Sequence, residues 1–459
     1  MEQKYREFQA KRMKIFGELV KRYWNNELTT SSDLEKLALD VKSTLGFSDD
    51  DLPFIKEHIR IAMGLDPRGD KAFENELDLV RKSKSVGLPV VSRIGLVCEN
   101  CNNETCRCTT SLYESDIYRK QAAEDDCIDC GNCIPSCDLG AIADKIEFLP
   151  VIELLKNKQH PVFAVVAPSI AGQFGDNVQL GQLRTAFKIM GFDDMIEVSL
   201  FADILTIVEA LEFNKLVTTQ KDIFLTSCCC PVWFNLIKKG YPELVDRMSP
   251  SVSPMIASGR ILKELYKDAK VVFFAPCIAK KAEMKEKDLV GSIDFVVNFT
   301  ELAEIFKALE INVSTLPSDE KDQASFVGRL YARTGGVSLS VKSVVNRLEP
   351  TRLIKLKAKQ VDGVKNLREA LNSLKENKEE PHEFNFLEGM GCLGGCVGGP
   401  RTVIDMESGT RYANQFGEDS VIMTPFDNVN VMKILKQLGI SSIEELITNE
   451  RAKKLLIRE

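Results

Sequence analysis

Residues 222–233 read DIFLTSCCCPVW, a short apolar run that ends on three consecutive cysteines. Three other runs have the same form: PVFAVVAPS at 161–169, KVVFFAPC at 270–277 and IDFVVNF at 293–299. Continuous apolar runs of this length, separated by stretches of helical periodicity, read as strands buried on both faces. The class they imply is α/β with a mostly parallel sheet. Three of the runs end at chemically capable residues: Pro168 and Ser169, Cys228 to Cys230, and Cys277. Folds of this class bind ligands beyond the carboxyl ends of their strands, so these ends mark a candidate site.

Outward from this core, residues 149–425 form the α/β region and 426–459 a helical tail. Residues 1–88 are charge-rich and helical: Ile15, Phe16, Leu19 and Val20 share a helical face, and SSDLEKLALDVKSTLG (31–46) opens on cap-like serines and closes on a glycine. Residues 89–148 hold eight of the 14 cysteines and few apolar runs, so bound metal is expected to organise them. The other six cysteines are Cys228, Cys229, Cys230, Cys277, Cys392 and Cys396.

The 459-residue chain has 44% hydrophobic and 28% charged residues, an ordinary globular composition, and a net charge of −7, which argues against nucleic-acid binding. MEQKYREFQAKRMK at the N-terminus carries no apolar signal core. No stretch reaches the apolar length of a bilayer span. A cytoplasmic location is therefore expected, where clustered cysteines bind metal more often than they form disulfides. His58, His160 and His382 stand far apart in sequence, which gives a histidine-based site little support.

CIDCGNCIPSC places Cys127, Cys130, Cys133 and Cys137 in the C-x2-C-x2-C-x3-C spacing of bacterial ferredoxins. Asp138 stands where ferredoxins usually have proline. CENCNNETCRC adds Cys98, Cys101, Cys106 and Cys108. Four thiolates also suit structural zinc, but beside the ferredoxin run a second 4Fe-4S cluster is the better reading. Two adjacent clusters imply electron transfer.

Three further motifs are TSCCCPVW (226–233), APCIAKKAE (275–283) and EGMGCLGGCVGGP (388–400). In this order they resemble the signature segments of the FeFe hydrogenases. The resemblance implies a two-lobed catalytic domain preceded by a ferredoxin-like domain with two 4Fe-4S clusters. It also implies an H-cluster: a 4Fe-4S cubane on Cys230, Cys277, Cys392 and Cys396, joined through Cys396 to a di-iron unit with CO, cyanide and an azadithiolate. By position Lys280 would donate to a cyanide, with Glu283 on the same helical face. Met390 would pack beside the di-iron unit, and Pro168 and Ser169 would contact a cyanide. The rival family is the hydrogenase-like cluster-assembly and electron-transfer proteins, which keep the cubane cysteines without the di-iron unit.

The third cysteine of the first motif makes register matter. The segment WFNLIKKGYPELVDRMSPSVSP (233–254) resembles the family without a gap when Cys230 is the cubane ligand. Cys229 is then the proton-donor cysteine, and Cys228 is an additional small buried residue. Ser249 matches the serine of the family's proton path. Ala210 and Phe213 fall where its two glutamates should stand, with Glu209 and Glu212 each one residue early. A one-residue shift turns a helical side chain by about 100°, so these carboxylates are not expected to substitute. Ala275 replaces a usual methionine, and Met255 a glutamine. The combination resembles the divergent, sensory branch of the family called group D. A slow hydrogenase or a hydrogen sensor is implied. Its expected partners are H2 and protons, a ferredoxin or other redox protein, hydrogenase maturases and a signalling partner, with neither nucleic acid nor membrane among them.

Overall fold

The computed structural model of the protein describes residues 2–82, 89–94, 127–134, 137, 141–226, 229–376 and 382–458. Among them run nine strands: β1 (Val91–Arg93), β2 (Ile142–Asp144), β3 (Val162–Val166), β4 (Asp194–Glu197), β5 (Phe224–Leu225), β6 (Lys270–Ala275), β7 (Phe295–Asn298), β8 (Ala358–Asp362) and β9 (Phe386–Met390).

They form two parallel sheets and one antiparallel pair. The larger sheet has the order β4-β3-β6-β7, with Ala164 opposite both Met195 and Val272. All of β3 and β7, and β6 from Val271 onward, are buried, which is why these strands read as unbroken apolar runs rather than alternating ones. Phe274 packs edge-to-face on Phe187 at 4.6 Å and on Phe192 at 5.8 Å. The smaller sheet has the order β5-β9-β8, and Phe224 stacks on Phe386 at 5.5 Å across it. Its outer face carries a second core built from Trp233, Leu236, Ile237, Leu367, Leu371 and Leu387.

The α/β class and the parallel pairing match the sequence reading, divided between two sheets. Strand β5 is shorter than its apolar run. Regular pairing stops at Leu225, and a last bond from Thr226 N to the Leu387 carbonyl carries the backbone toward the cysteines. Strand β8, AKQVD, is a polar edge with no apolar run to announce it. The pair β1-β2 is antiparallel, with Val91 opposite Asp144.

The N-terminal helices share the large core. Ile15, Phe16, Leu19 and Val20 are buried there, and their helix, Glu2–Trp24, packs on the helix Phe299–Ala308 that follows β7. The helix Ser31–Leu45 is capped by Thr30 rather than by a serine. The Asp33 carboxylate accepts the Thr30 amide at 2.8 Å, and Gly46 ends the helix at φ 69°. The residues 429–458 form three short helices.

Helix Ser199–Leu216 is buried on nearly every side. It holds three buried carboxylates: Asp203, Glu209 and Glu212. Among the described residues no helix is long and apolar enough to cross a membrane.

Candidate functional site

The carboxyl ends of both parallel sheets deliver the candidate residues. Pro168 and Ser169 follow β3, Cys277 follows β6, Cys229 and Cys230 follow β5, and Cys392 and Cys396 follow β9. Cys230 packs against both hydrophobic cores, which puts it at the seam between the sheets.

Each sulfur is placed by local backbone. Cys230 immediately precedes the helix Pro231–Gly240, and its Sγ accepts the Gly391 amide at 3.2 Å and the Trp233 amide. Trp233 is itself fixed by a 2.6 Å bond from its indole Nε1 to the Thr226 carbonyl. Its ring lies so close to Gly389 that a Cβ there would approach within 2.3 Å of it. Cys277 Sγ accepts the amides of Ala279 and Lys280. Between Cys392 and Cys396 the chain turns through Gly394 at φ 74° and Gly395 at φ 88°. The Asp362 carboxylate ties that turn down by accepting the Gly394 amide at 3.0 Å.

Burial pushes the Cys230 thiol up to about 12, helped by Cys229 and Cys277. It raises Cys392 and Cys396 well above the ordinary thiol range, and the neighbouring thiols add to the effect. Ionised together, these sulfurs need a positive partner. Four thiols brought near one another from three loops are a donor set of the kind that holds an iron–sulfur cubane.

Around them sits a second layer. Cys229 Sγ lies 3.7 Å from Met390 Sδ, and both side chains are buried. Lys280 Nζ pairs with Glu283 Oε2 at 2.6 Å. Burial lowers the Lys280 pKa, but Glu283 and the Cys277 and Cys229 thiols outweigh this and hold it above the ordinary lysine value. A buried ammonium therefore stays charged beside the sulfurs. The Ser169 hydroxyl is 1% exposed and has no hydrogen-bond partner among the described residues. A buried hydroxyl so placed is suited to donate to a ligand. Met255 and Ala275 are also buried.

Sequence reasoning missed one contact. Ser249 Oγ donates to Glu212 Oε2 at 2.6 Å, and Ser251 Oγ to Glu212 Oε1 at 3.3 Å. The expectation that Glu212 does not simply take the place of a family glutamate did not foresee this pairing with Ser249. The helix offers the carboxylate on the face that meets 249–251, and burial raises its pKa to about 7. The available signal was a glutamate inside an otherwise apolar helix, which needs a partner when buried.

The loop that carries Cys127, Cys130 and Cys133 abuts this site. Ile128 and Cys130 join the core around Trp233. Gly131, at φ 75°, lies against Ile278, which follows Cys277. Cys130 is close enough to Cys392 to raise its pKa, and Lys239 Nζ donates to the Cys127 carbonyl at 2.6 Å. Cys133 is partly buried and Cys137 buried. Cys98, Cys101, Cys106, Cys108 and Cys228 lie outside the described residues.

Known proteins resemble the chain over the region that carries these residues. Residues 160–400, more than half of the chain, match the family described as iron only hydrogenase large subunit, C-terminal domain. Iron hydrogenase 1 of Clostridium pasteurianum is 27% identical over 401 residues, covering 75% of this chain and 70% of that protein. A cytosolic Fe-S cluster assembly factor of Yarrowia lipolytica is 22% identical over 241 residues, covering 46% of this chain and 48% of that protein. A solved FeFe-hydrogenase of Chlamydomonas reinhardtii superposes with a TM-score of 0.54 at 20% identity, covering 66% of this chain and 94% of its own; the likeness is one of fold.

Proposed function

Since the chain belongs to the iron only hydrogenase large-subunit family, we propose that it interconverts dihydrogen with two protons and two electrons at a six-iron H-cluster. Cys230, Cys277, Cys392 and Cys396 would hold the cubane, with Cys396 also bridging to the di-iron unit. When bound, that group supplies the redox chemistry of dihydrogen. The protein holds it, excludes water and moves protons.

Cys229 is the proton donor in this reading. The observation that carries it is the buried Cys229–Met390 contact of 3.7 Å beside the charged Lys280–Glu283 pair. A cubane alone requires none of these groups, so the arrangement favours a di-iron unit over an assembly or electron-transfer role. The similarity to an assembly factor keeps that role as the second reading. Lys280 and the Ser169 hydroxyl would supply fixed hydrogen-bond donors to cyanide ligands of that group in a dry pocket. Ser249 and Glu212 form a buried hydroxyl–acid pair on the outer part of a proton route. A carboxyl with a pKa of about 7 exchanges protons in both directions near neutrality.

Electrons would arrive through two 4Fe-4S clusters, one on Cys127, Cys130, Cys133 and Cys137 and one on Cys98, Cys101, Cys106 and Cys108. The nearness of Cys130 to Cys392 supports a direct hand-off. A ferredoxin or companion redox protein would deliver them, in a cytoplasmic setting, and maturases would install the di-iron unit. Ala210 in place of a family glutamate, with Met255 and Ala275 in place of the usual glutamine and methionine, supports slow turnover or hydrogen sensing.

Film voltammetry of the fully loaded protein tests the slow-turnover reading. Low, persistent currents are expected, and sustained high currents would remove the sensing role. Cys229→Ala is expected to lower turnover at least a hundredfold while leaving the cubane signal intact. If Cys228→Ala does this instead, the register proposed here is wrong.

A further inference from the structure

The stretch 456–458 pairs with residues 250–252, beside Ser249. The Val252 amide donates to the Leu456 carbonyl at 2.8 Å, the Arg458 amide donates to the Pro250 carbonyl at 2.9 Å, and Ser251 faces Ile457 in an antiparallel bridge. Arg260 Nη1 holds the same stretch by donating to the carbonyls of Lys454 and Ile457, both at 3.0 Å. The backbone of Arg458 is thereby fixed, and its side chain turns inward. Its Cζ lies 3.8 Å from the centre of the Phe234 ring, on the helix that follows Cys230. Its Nη2 lies 3.5 Å from Glu283 Oε1, and its Nη1 lies 2.8 Å from Glu286 Oε2 and 3.3 Å from Asp288 Oδ2.

The buried Glu283 carboxylate therefore carries a cation on each oxygen: Lys280 Nζ on Oε2 at 2.6 Å and Arg458 on Oε1. The helix that bears Lys280 and Glu283 has only five residues, so it does little to fix two long side chains. The last torsion of a glutamate is broad, and a cation on one oxygen alone leaves the carboxylate plane free to turn. A second cation removes that freedom, and with it the freedom of the ammonium bound to the first. An arginine suits this task, because its rigid plane stacks on an aromatic ring while its fork reaches two carboxylates at once. Anchoring the stretch 456–458 would need only Glu286 and Asp288, so the contacts with Phe234 and Glu283 point to a further role.

We propose that Arg458 is a positioning residue of the candidate site: through the Glu283 carboxylate it fixes the ammonium of Lys280. The proposal rests on the reading of Lys280 as the donor to a cyanide ligand. The chain of contacts runs from Arg458 to Glu283 Oε1, across that carboxylate to Oε2, and on to Lys280 Nζ. Two charged groups that act through a shared partner must show coupled effects when changed.

The test is infrared spectroscopy of the chain after loading by hydrogenase maturases, with iron content and the cubane signal as controls. Arg458→Gln is expected to shift an Fe–CN stretching band at full iron content. In a Glu283→Gln background the same change is expected to cause no further shift. Arg458→Lys, which keeps a cation within reach of Glu283, is expected to restore the parent band. Glu286→Gln, which leaves the Glu283 contact in place, is expected to leave the bands unmoved. If Glu283→Gln takes up no di-iron unit, the lysine and Glu286 variants carry the test. An unmoved band in Arg458→Gln, equal shifts in both backgrounds, or a shift in Arg458→Lys or Glu286→Gln as large as that in Arg458→Gln would overturn the proposal. A parent chain that shows no Fe–CN band would overturn the reading of Lys280 beneath it, and the proposal with it.

Discussion

At the scale of single residues, the motif cysteines were readable because their spacing is chemical. Cys127 to Cys137 and the three later motifs have the spacing of the ligand sets proposed for them, and Cys277, Cys392 and Cys396 lie where strands end. Glu212 was not readable in the same way. Its partner Ser249 lies 37 residues away, and a rotation argument on one helix says nothing of where a distant loop crosses it. The pairing has a measurable consequence. The Glu212 pKa rises from 4.5 to about 7 on folding, because burial disfavours the charged form more than the two serines favour it. Its contribution to stability is then full below pH 4.5 and is lost as pH rises through 7, on the order of 3 kcal/mol in all. Glu212→Gln is therefore expected to flatten the fall in apparent Tm between pH 4.5 and 7, with slower turnover above that range. An unchanged pH profile of unfolding would show that the carboxyl is not buried as described.

At the scale of elements, the buried strands β3, β6 and β7 were legible, since a strand covered on both faces must be apolar throughout. Strand β8 was not, because its polar residues lie on an edge, and β5 was overestimated, because the backbone leaves the ladder to present cysteines. The turn between Cys392 and Cys396 shows the same demand in extreme form. A Cβ on Gly395 would lie 2.7 Å from the Thr334 amide nitrogen, at a φ of 88°. Gly395→Ala should cost about 1–3 kcal/mol in local strain. Because two proposed cubane ligands flank this turn, the variant is expected to lose cubane iron several-fold while keeping the cluster on the ferredoxin-like loop. Iron analysis with electron paramagnetic resonance separates the two signals, and equal loss of both would count against a local effect.

At the scale of the whole molecule, sequence could place helices in residues 1–88 but not say what they cover. Phe16 is buried in the same core as the larger sheet, and Arg12 from the same helix reaches Asp144. The first helix thus ties the large core to the end of β2. Phe16→Ala should cost about 3–5 kcal/mol, and hydrogen exchange should then quicken in the helix Phe299–Ala308 as well as in Glu2–Trp24. Faster exchange confined to Glu2–Trp24 would mean that the helix is an independent appendage. The central claim concerns the centre that all these parts enclose. Infrared spectroscopy of the chain after loading by hydrogenase maturases tests it most directly. The account predicts Fe–CO and Fe–CN stretching bands, present with the cubane signal. A loaded cubane without those bands would contradict it and identify an iron–sulfur protein of the assembly type.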